Sequence, residues 1–356
     1  MASPALDCAK LEQFQGKMLG ALNGAALALM TSIGHRAGLF DVMSRMRPAT
    51  SADIAAAAGL NERYVREWLA AMVTSGVIDF APAAATYSLP REHAALLTRA
   101  ARPDNIAATC QWVPMMGAIE DRILECFERG GGIPRSAFAR FHALVEEESD
   151  ETILHSLVER ILPLADGLPE SLARGADVLD VGCGSGRALN RLAAAFPRSR
   201  FTGYDPDPDS IEVARTEARA LRLTNVRFAV RDLAALGHED DFDCVTAFDM
   251  IHDQERPDEV LRGIADALRP DGVLLMRDVA GTSHLQEDVA HPLSPFLYTI
   301  SCLYCMTVSL AAGGMGLGAM WGAERARCML GEAGLGRVET HQLPHDAITL
   351  YFIARK

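Results

Sequence analysis

Gly182, Gly184 and Gly186 occupy alternate positions in ADVLDVGCGSGRALN, residues 176–190, behind an apolar run and just after Asp180. Glycine accepts positive φ and carries no Cβ, so such a loop brings backbone N–H groups close to a ligand. A dinucleotide fingerprint, Gly-x-Gly-x-x-Gly, does not fit: Arg187 stands where the third glycine belongs, and Gly186 comes one residue early. Asp180 would also repel a pyrophosphate. The loop therefore predicts a cationic or zwitterionic ligand without phosphate. Asp205 follows Gly186 by nineteen residues, at the spacing of a carboxylate that accepts both ribose hydroxyls. Asp232 and Asp249 recur further on, the latter just ahead of His252 and Asp253 in FDMIHDQERPDEV. An imidazole titrating near neutrality suits proton abstraction from an acceptor; capping a helix is the other use open to His252. Asp253 is placed to orient that ring or an acceptor hydroxyl. His284, His291 and Tyr298 sit in a long, largely apolar insertion, which is how a small-ligand pocket is built, although each also suits a structural role. Cys302 and Cys305 have metal-ligand spacing, but they lack a second pair and their flanks are apolar, so core packing is expected and no metal.

These residues need a frame that gathers them. After Ala173, the strand-like stretches ADVLDV, RFTGYD, VRFAVRD, FDCVTAFD and GVLLMRDV are interspersed with the helical RALNRLAAAF, SIEVARTEARAL and PDEVLRGIADAL. Such alternation predicts a parallel sheet with helices on both faces, binding its ligand at the carboxyl ends of the strands. RVETHQL and LYFIARK are separated by PHDAIT alone, too short for a crossover helix, and predict an antiparallel hairpin that completes seven strands. From Gly24 to Pro90 the pattern is short helices and a two-stranded wing. Gly59 breaks one helix, Asn61 caps the next, Val65, Trp68, Leu69, Met72 and Val73 share a face, and Gly76 ends it before VIDF and TYSL. That is a winged helix-turn-helix pattern. Residues 101–170 read as mostly helical, interrupted by RGGGIP, with the acidic cluster Glu146–Asp150 as a solvated face or helix start.

S-adenosylmethionine is a phosphate-free cation of the kind the loop requires, and VLDVGCGSG resembles the first motif of class I S-adenosylmethionine-dependent methyltransferases. The resemblance implies a Rossmann-like, seven-stranded α/β fold in which Asp180 and the backbone of Gly182, Gly184 and Gly186 hold the methionine end. It further implies that Asp205 binds the ribose, that Asp232 binds the adenine amino group with Leu233 against the ring, and that Asp249 lines the cofactor. IHDQ resembles the LHDW segment of small-molecule O-methyltransferases, whose histidine is the general base and which carry an N-terminal winged-helix dimerisation domain; Gln254 replaces their Trp. The whole chain also resembles two-domain, notably mycobacterial, methyltransferases through LNERYVREWL, HAALLTR, AFDMIHDQ and HPLSPFLYT. The implied organisation is a winged-helix and dimerisation domain over 1–100, a helical linker and site cover over 101–170, and a cofactor-binding methyltransferase domain over 171–356. The implied function is methyl transfer to a small, partly apolar acceptor at oxygen, by a homodimer. A bifunctional methyltransferase-oxidoreductase with an added nicotinamide cofactor is one alternative. A winged-helix DNA-binding regulator that senses S-adenosylmethionine is the other.

Charge and composition narrow the choice. A net charge of -13 opposes general affinity for nucleic acid, and residues 1–100 carry nine basic against eight acidic residues, too even for a recognition surface. Eight scattered cysteines form no disulfide framework, and MASPALDCAK lacks the features of a secretory signal, so a cytoplasmic protein is expected. Val289–Ala323 contains no Asp, Glu, Lys or Arg, but Ser, Thr, Tyr and Cys throughout favour a buried helix capping a pocket over a membrane contact.

Overall fold

The computed structural model describes residues 6–344, 346 and 348–356. The chain divides into two compact units, Met1–Ala118 and Ile119–Lys356.

In the first unit a 29-residue helix, Cys8–Arg36, starts where the Asp7 side chain accepts hydrogen bonds from the amides of Ala9 and Lys10. It runs on past Gly24 to Arg36, and the short helices expected in this stretch follow it, beginning with Leu39–Met43. Helix Ser51–Ala58 begins in a capping box between Thr50 and Asp53 and stops at Gly59 in the left-handed conformation; Asn61 caps helix Glu62–Thr74. Val65, Trp68, Leu69 and Met72 bury one face of that helix against Phe40, Met43 and Ile54. Each buried side chain contributes roughly 1.5–3 kcal/mol. Strands β1 (Asp79–Ala81) and β2 (Thr86–Ser88) pair antiparallel as the wing.

The second unit is built on seven strands: β3 (Asp177–Val181), β4 (Arg200–Asp205), β5 (Val226–Val230), β6 (Phe242–Phe248), β7 (Leu268–Val279), β8 (Arg337–His341) and β9 (Thr349–Arg355). Their order is β5-β4-β3-β6-β7-β9-β8. The first five run parallel; β9 is antiparallel to both β7 and β8, as the short link between the last two demanded. Side chains alternate between faces. Leu179, Val245, Leu274 and Met276 meet helices Pro257–Ala267 and Gly322–Glu332 on one side, while Val178, Phe201, Cys244 and Leu275 meet Arg187–Ala195 and Pro208–Ala220 on the other. The order reverses between β3 and β6, so a crevice opens at the carboxyl ends of those two strands.

In the insertion between β7 and β8, helix Ser294–Ile300 continues through a π-helical turn, Ser301–Cys305, into Met306–Ala311. Among the described residues Ser294–Ala311 is the one helix long and apolar enough to cross a membrane, and 39% of it is buried inside the protein.

Candidate functional site

Three glycines turn the chain out of β3 with positive φ, at +73°, +51° and +71° for Gly182, Gly184 and Gly186. They do not share one reason. A Cβ on Gly182 would lie 2.9 Å from the Met250 side chain, and one on Gly186 would lie 2.6 Å from Ala214 and the Phe228 ring. Those two are glycines because the protein itself crowds them. Gly184 faces open space, so it is where a ligand can approach the backbone.

The carboxylates surround this loop. Asp180, 4% exposed, accepts a 2.6 Å hydrogen bond from the Thr246 hydroxyl. Burial, with repulsion from Asp205, pushes its carboxyl up to about 7 against that bond. Asp205 ends β4 and accepts from the amides of Gly184 and Asp207, both at 2.9 Å. Burial raises its pKa as well, while those amides and the positive charge of Arg135 oppose the rise. A buried and a half-buried carboxyl group that repel each other beside an open backbone loop make a site that a cation would complete and an anion would not enter. The residues present thus fit the ammonium and ribose of S-adenosylmethionine.

The other expected cofactor residues are placed differently. Asp232 is exposed after β5, accepts from the Ala234 amide at 3.0 Å and pairs with Arg256 at 3.3 Å; Leu233 is buried in the core, 3% exposed. Asp249, at φ +52°, forms a close ion pair with Arg277, itself buried and held by Asp346 at 3.1 Å.

His252 lies in the short turn Ile251–Asp253 after β6. The ring is buried, and its Nδ1 lies 2.7 Å from Asp278 Oδ1 at the end of β7. Although burial works the other way, Asp278 and the Cys305 thiol raise the pKa of His252 well above the ordinary value. The ring is also hydrogen-bonded to the Cys305 side chain, and with Nδ1 on Asp278 any proton exchange with an acceptor falls to Nε2. Asp278 itself was missed in the sequence, although an acid at the carboxyl end of a strand is the signal that marked the others. Asp253 is not the ring's partner: its carboxylate accepts from Arg135 at 2.8 Å and from Gln254 at 2.9 Å. Arg135, too, carried no signal in the sequence. The backbone of the turn is fixed by the insertion, where the Ser309 hydroxyl donates to the Gln254 carbonyl at 2.7 Å and the Gly318 amide to that of His252 at 3.3 Å.

His284, His291 and Tyr298 have partners of their own. The Tyr298 hydroxyl donates to Asp288 at 2.8 Å, Asp288 also receives the amide and hydroxyl of Thr282, and the His284 ring meets Glu324 at 2.5 Å. The His291 ring accepts from the Leu293 amide at 3.3 Å, next to a crevice of about 570 Å³ lined by Thr282, Glu287, Glu324 and Arg327. Tyr298 thus joins the Asp288 group, while His284 pairs with Glu324 and His291 with the backbone of Leu293. Among the described residues, no three potential metal ligands converge.

Comparison with known proteins agrees with this architecture. Residues 25–99 match the Rv2258c-like winged HTH domain family, and residues 172–304 match a methyltransferase domain family. Against (S)-coclaurine N-methyltransferase of Papaver somniferum the chain is 29% identical over 105 residues, 30% of each protein. The chain spans between 30% and 63% of the length of the first curated relatives it matches. The structure of the mitomycin 7-O-methyltransferase MmcR superposes with a TM-score of 0.71 at 19% identity, over 98% of this chain and 100% of that one. Human N-acetylserotonin methyltransferase, solved in complex with SAM, gives 0.67 at 16% identity over 100% and 99%. Both share the fold.

Proposed function

We propose that this chain, a member of the class I S-adenosylmethionine-dependent methyltransferases with an N-terminal winged helix-turn-helix domain, methylates a hydroxyl of a small, partly apolar molecule with His252 as general base. The observation that carries the reading is the 2.7 Å contact between His252 and Asp278, because it holds Nδ1 and so assigns proton exchange with an acceptor to Nε2, on the turn that follows β6, the neighbour of β3. Asp278 fixes the ring and stabilises the imidazolium that forms when Nε2 accepts the acceptor's proton, as a buried carboxylate does for other histidine bases.

S-adenosylmethionine, when bound, supplies an electrophilic methyl group on a sulfonium. Asp180 and the backbone around Gly184 would hold its methionine end, Asp205 its ribose, and Asp232 its adenine. Loss of the acceptor's proton to Nε2 frees an oxygen lone pair, and the turn Ile251–Asp253 holds the base still while that happens. An oxygen acceptor is favoured because hydroxyl groups need such a base, and MmcR, a structural neighbour, is an O-methyltransferase by name. A homodimer is part of the same reading: helix Cys8–Arg36 exposes Leu11, Phe14, Met18 and Leu22 on one face, more apolar surface than a monomer ordinarily leaves in water.

The test has two stages. Calorimetry should detect binding of S-adenosylhomocysteine; its absence would remove the cofactor reading. Labelled methyl transfer from S-adenosylmethionine to a panel of phenols, enols and carboxylic acids then finds an acceptor. On it, His252→Ala should lower turnover by roughly 10²-fold or more while cofactor affinity stays within about twofold. Unchanged turnover would remove His252 as the base.

A further inference from the structure

We infer that Arg135 is a positioning residue for the reaction proposed above: it pins Asp253, thereby fixing the turn that carries His252. The inference rests on the methyl-transfer reading for its purpose and on the following geometry for its substance.

Arg135 Nη2 donates to Asp253 Oδ2 at 2.8 Å, and Asp253 is 7% exposed, so its charge has little water to turn to. From Asp253 the bonds continue inward. Gln254 Nε2 donates both to Asp253 Oδ1, at 2.9 Å, and to the Met250 carbonyl, at 2.8 Å. The Met250 side chain fills the space beside Gly182, the first glycine of the cofactor loop. A connected set of contacts therefore runs from the guanidinium past His252 to the glycines.

Arg135 is itself held from behind. Its guanidinium carbon lies 5.1 Å from the centre of the Phe141 ring and 5.9 Å from that of Tyr304, and those two rings stack at 4.3 Å. Phe138 packs edge-on against Tyr304 at 4.9 Å. Just before Arg135, the Ile133 amide donates to the carbonyl and hydroxyl of Thr307, and a Cβ on Gly132 would lie 2.0 Å from that carbonyl oxygen. The strap 132–141 is thus pressed onto helix Met306–Ala311, and a planar fork braced on two rings keeps its orientation better than a flexible ammonium would.

Hydrogen exchange and calorimetry on the full chain test this with four proteins: wild type, Arg135→Gln, Arg135→Lys and Asp253→Asn. Without cofactor, Arg135→Gln and Asp253→Asn should each speed exchange of the amides in 250–254 by about tenfold, with β3 and β7 unchanged as the check on folding. On the acceptor found above, Arg135→Gln should also lower turnover by about tenfold while S-adenosylhomocysteine affinity stays within about twofold, because the clamp holds the turn of the base. Arg135→Lys should restore neither the protection of 250–254 nor the turnover in full, since it keeps the charge and loses the fork. Unchanged exchange in both Arg135→Gln and Asp253→Asn would overturn the clamp; unchanged turnover in Arg135→Gln would overturn its part in positioning the base. Should Arg135→Gln fail to fold, Asp253→Asn reads the same contact from its other end. A wild type that bound no S-adenosylhomocysteine would instead defeat the methyl-transfer reading, and the exchange of 250–254 would still decide the clamp.

Discussion

Asp180 is a carboxyl group removed from water and given a single hydroxyl as its recorded partner, an arrangement that costs stability until a cation arrives. Its folded-state pKa, about 7, lies above the ordinary 3.8, so the folded chain binds more protons than the unfolded one. The stability associated with Asp180 is therefore fully present below pH 3.8 and is lost as pH rises through 7. His252 acts in the same direction, because its folded pKa is also raised. Asp180→Asn should accordingly raise the melting temperature of the cofactor-free protein at pH 8, raise it less at pH 5, and weaken S-adenosylhomocysteine binding by at least about tenfold. Calorimetric scans at the two pH values, with and without that ligand, check all three. For His252 the active form of the base is the neutral ring, so turnover should climb with pH beyond neutrality up to its raised pKa. Asp278→Asn removes the main cause of the rise and the partner that fixes the tautomer. Its rate profile should shift to lower pH, with a plateau reduced by roughly 10²-fold or more. A profile that stayed in place would show that Asp278 does not govern the base.

The strand-to-helix turn after β3 separates two jobs that the alternating glycines of the sequence made look alike. Gly186→Ala forces a Cβ into Ala214 and Phe228 as well as straining φ, and overpacking of that kind costs about 1–3 kcal/mol. Gly184→Ala meets no atom within 4 Å and bears the left-handed strain alone, about 1 kcal/mol. The first should lower the melting temperature by several degrees more than the second, whereas the second should still lose most of its affinity for S-adenosylhomocysteine; thermal scans and calorimetry on both variants separate the effects. All seven strands of the sheet were legible in the sequence because strand and helix periodicities alternate cleanly there, and the brevity of PHDAIT gave the antiparallel end. The long first helix was not, since Gly16, Gly20 and Gly24 weaken helix propensity by about 1 kcal/mol each. Those glycines also have no neighbour within 4 Å, so no packing pattern betrayed them. Arg135 was illegible for a different reason: it reaches Asp253 across 118 residues from a loop whose local sequence reads as a break between helices. The bond from Tyr298 to Asp288 was hidden likewise, because Asp288, which also gathers Thr282, has no periodic mark in the sequence.

A winged helix-turn-helix attached to a methyltransferase domain invites two readings, a DNA-binding arm or a platform for self-association, and surface chemistry separates them. On helix Glu62–Thr74 the arginines are already neutralised, Arg63 by Glu67 at 2.5 Å and Arg66 by Glu62 at 3.5 Å, in a chain of net charge -13. Phosphate binding needs free cations, so gel shifts with random and genomic DNA should show no sequence-selective complex at moderate salt. The first helix carries the opposite signature. Leu11, Phe14, Met18 and Leu22 follow one another at spacings of three and four residues and are between 52% and 67% exposed, with Leu29 and Ile33 continuing the stripe. Acidic residues do not interrupt that face, and the helix is about 40 Å long, enough for a continuous seam with a second copy. Light scattering should give twice the chain mass for the wild type. The triple substitution Leu11→Glu, Met18→Glu and Leu22→Glu should halve it, because charges in such a seam repel and lose their water on pairing. The same variant should leave the Ile119–Lys356 unit folded, measured by exchange protection in its sheet. A triple variant that kept the wild-type mass would remove this helix as the dimer contact, and a wild type of single-chain mass would remove the dimer.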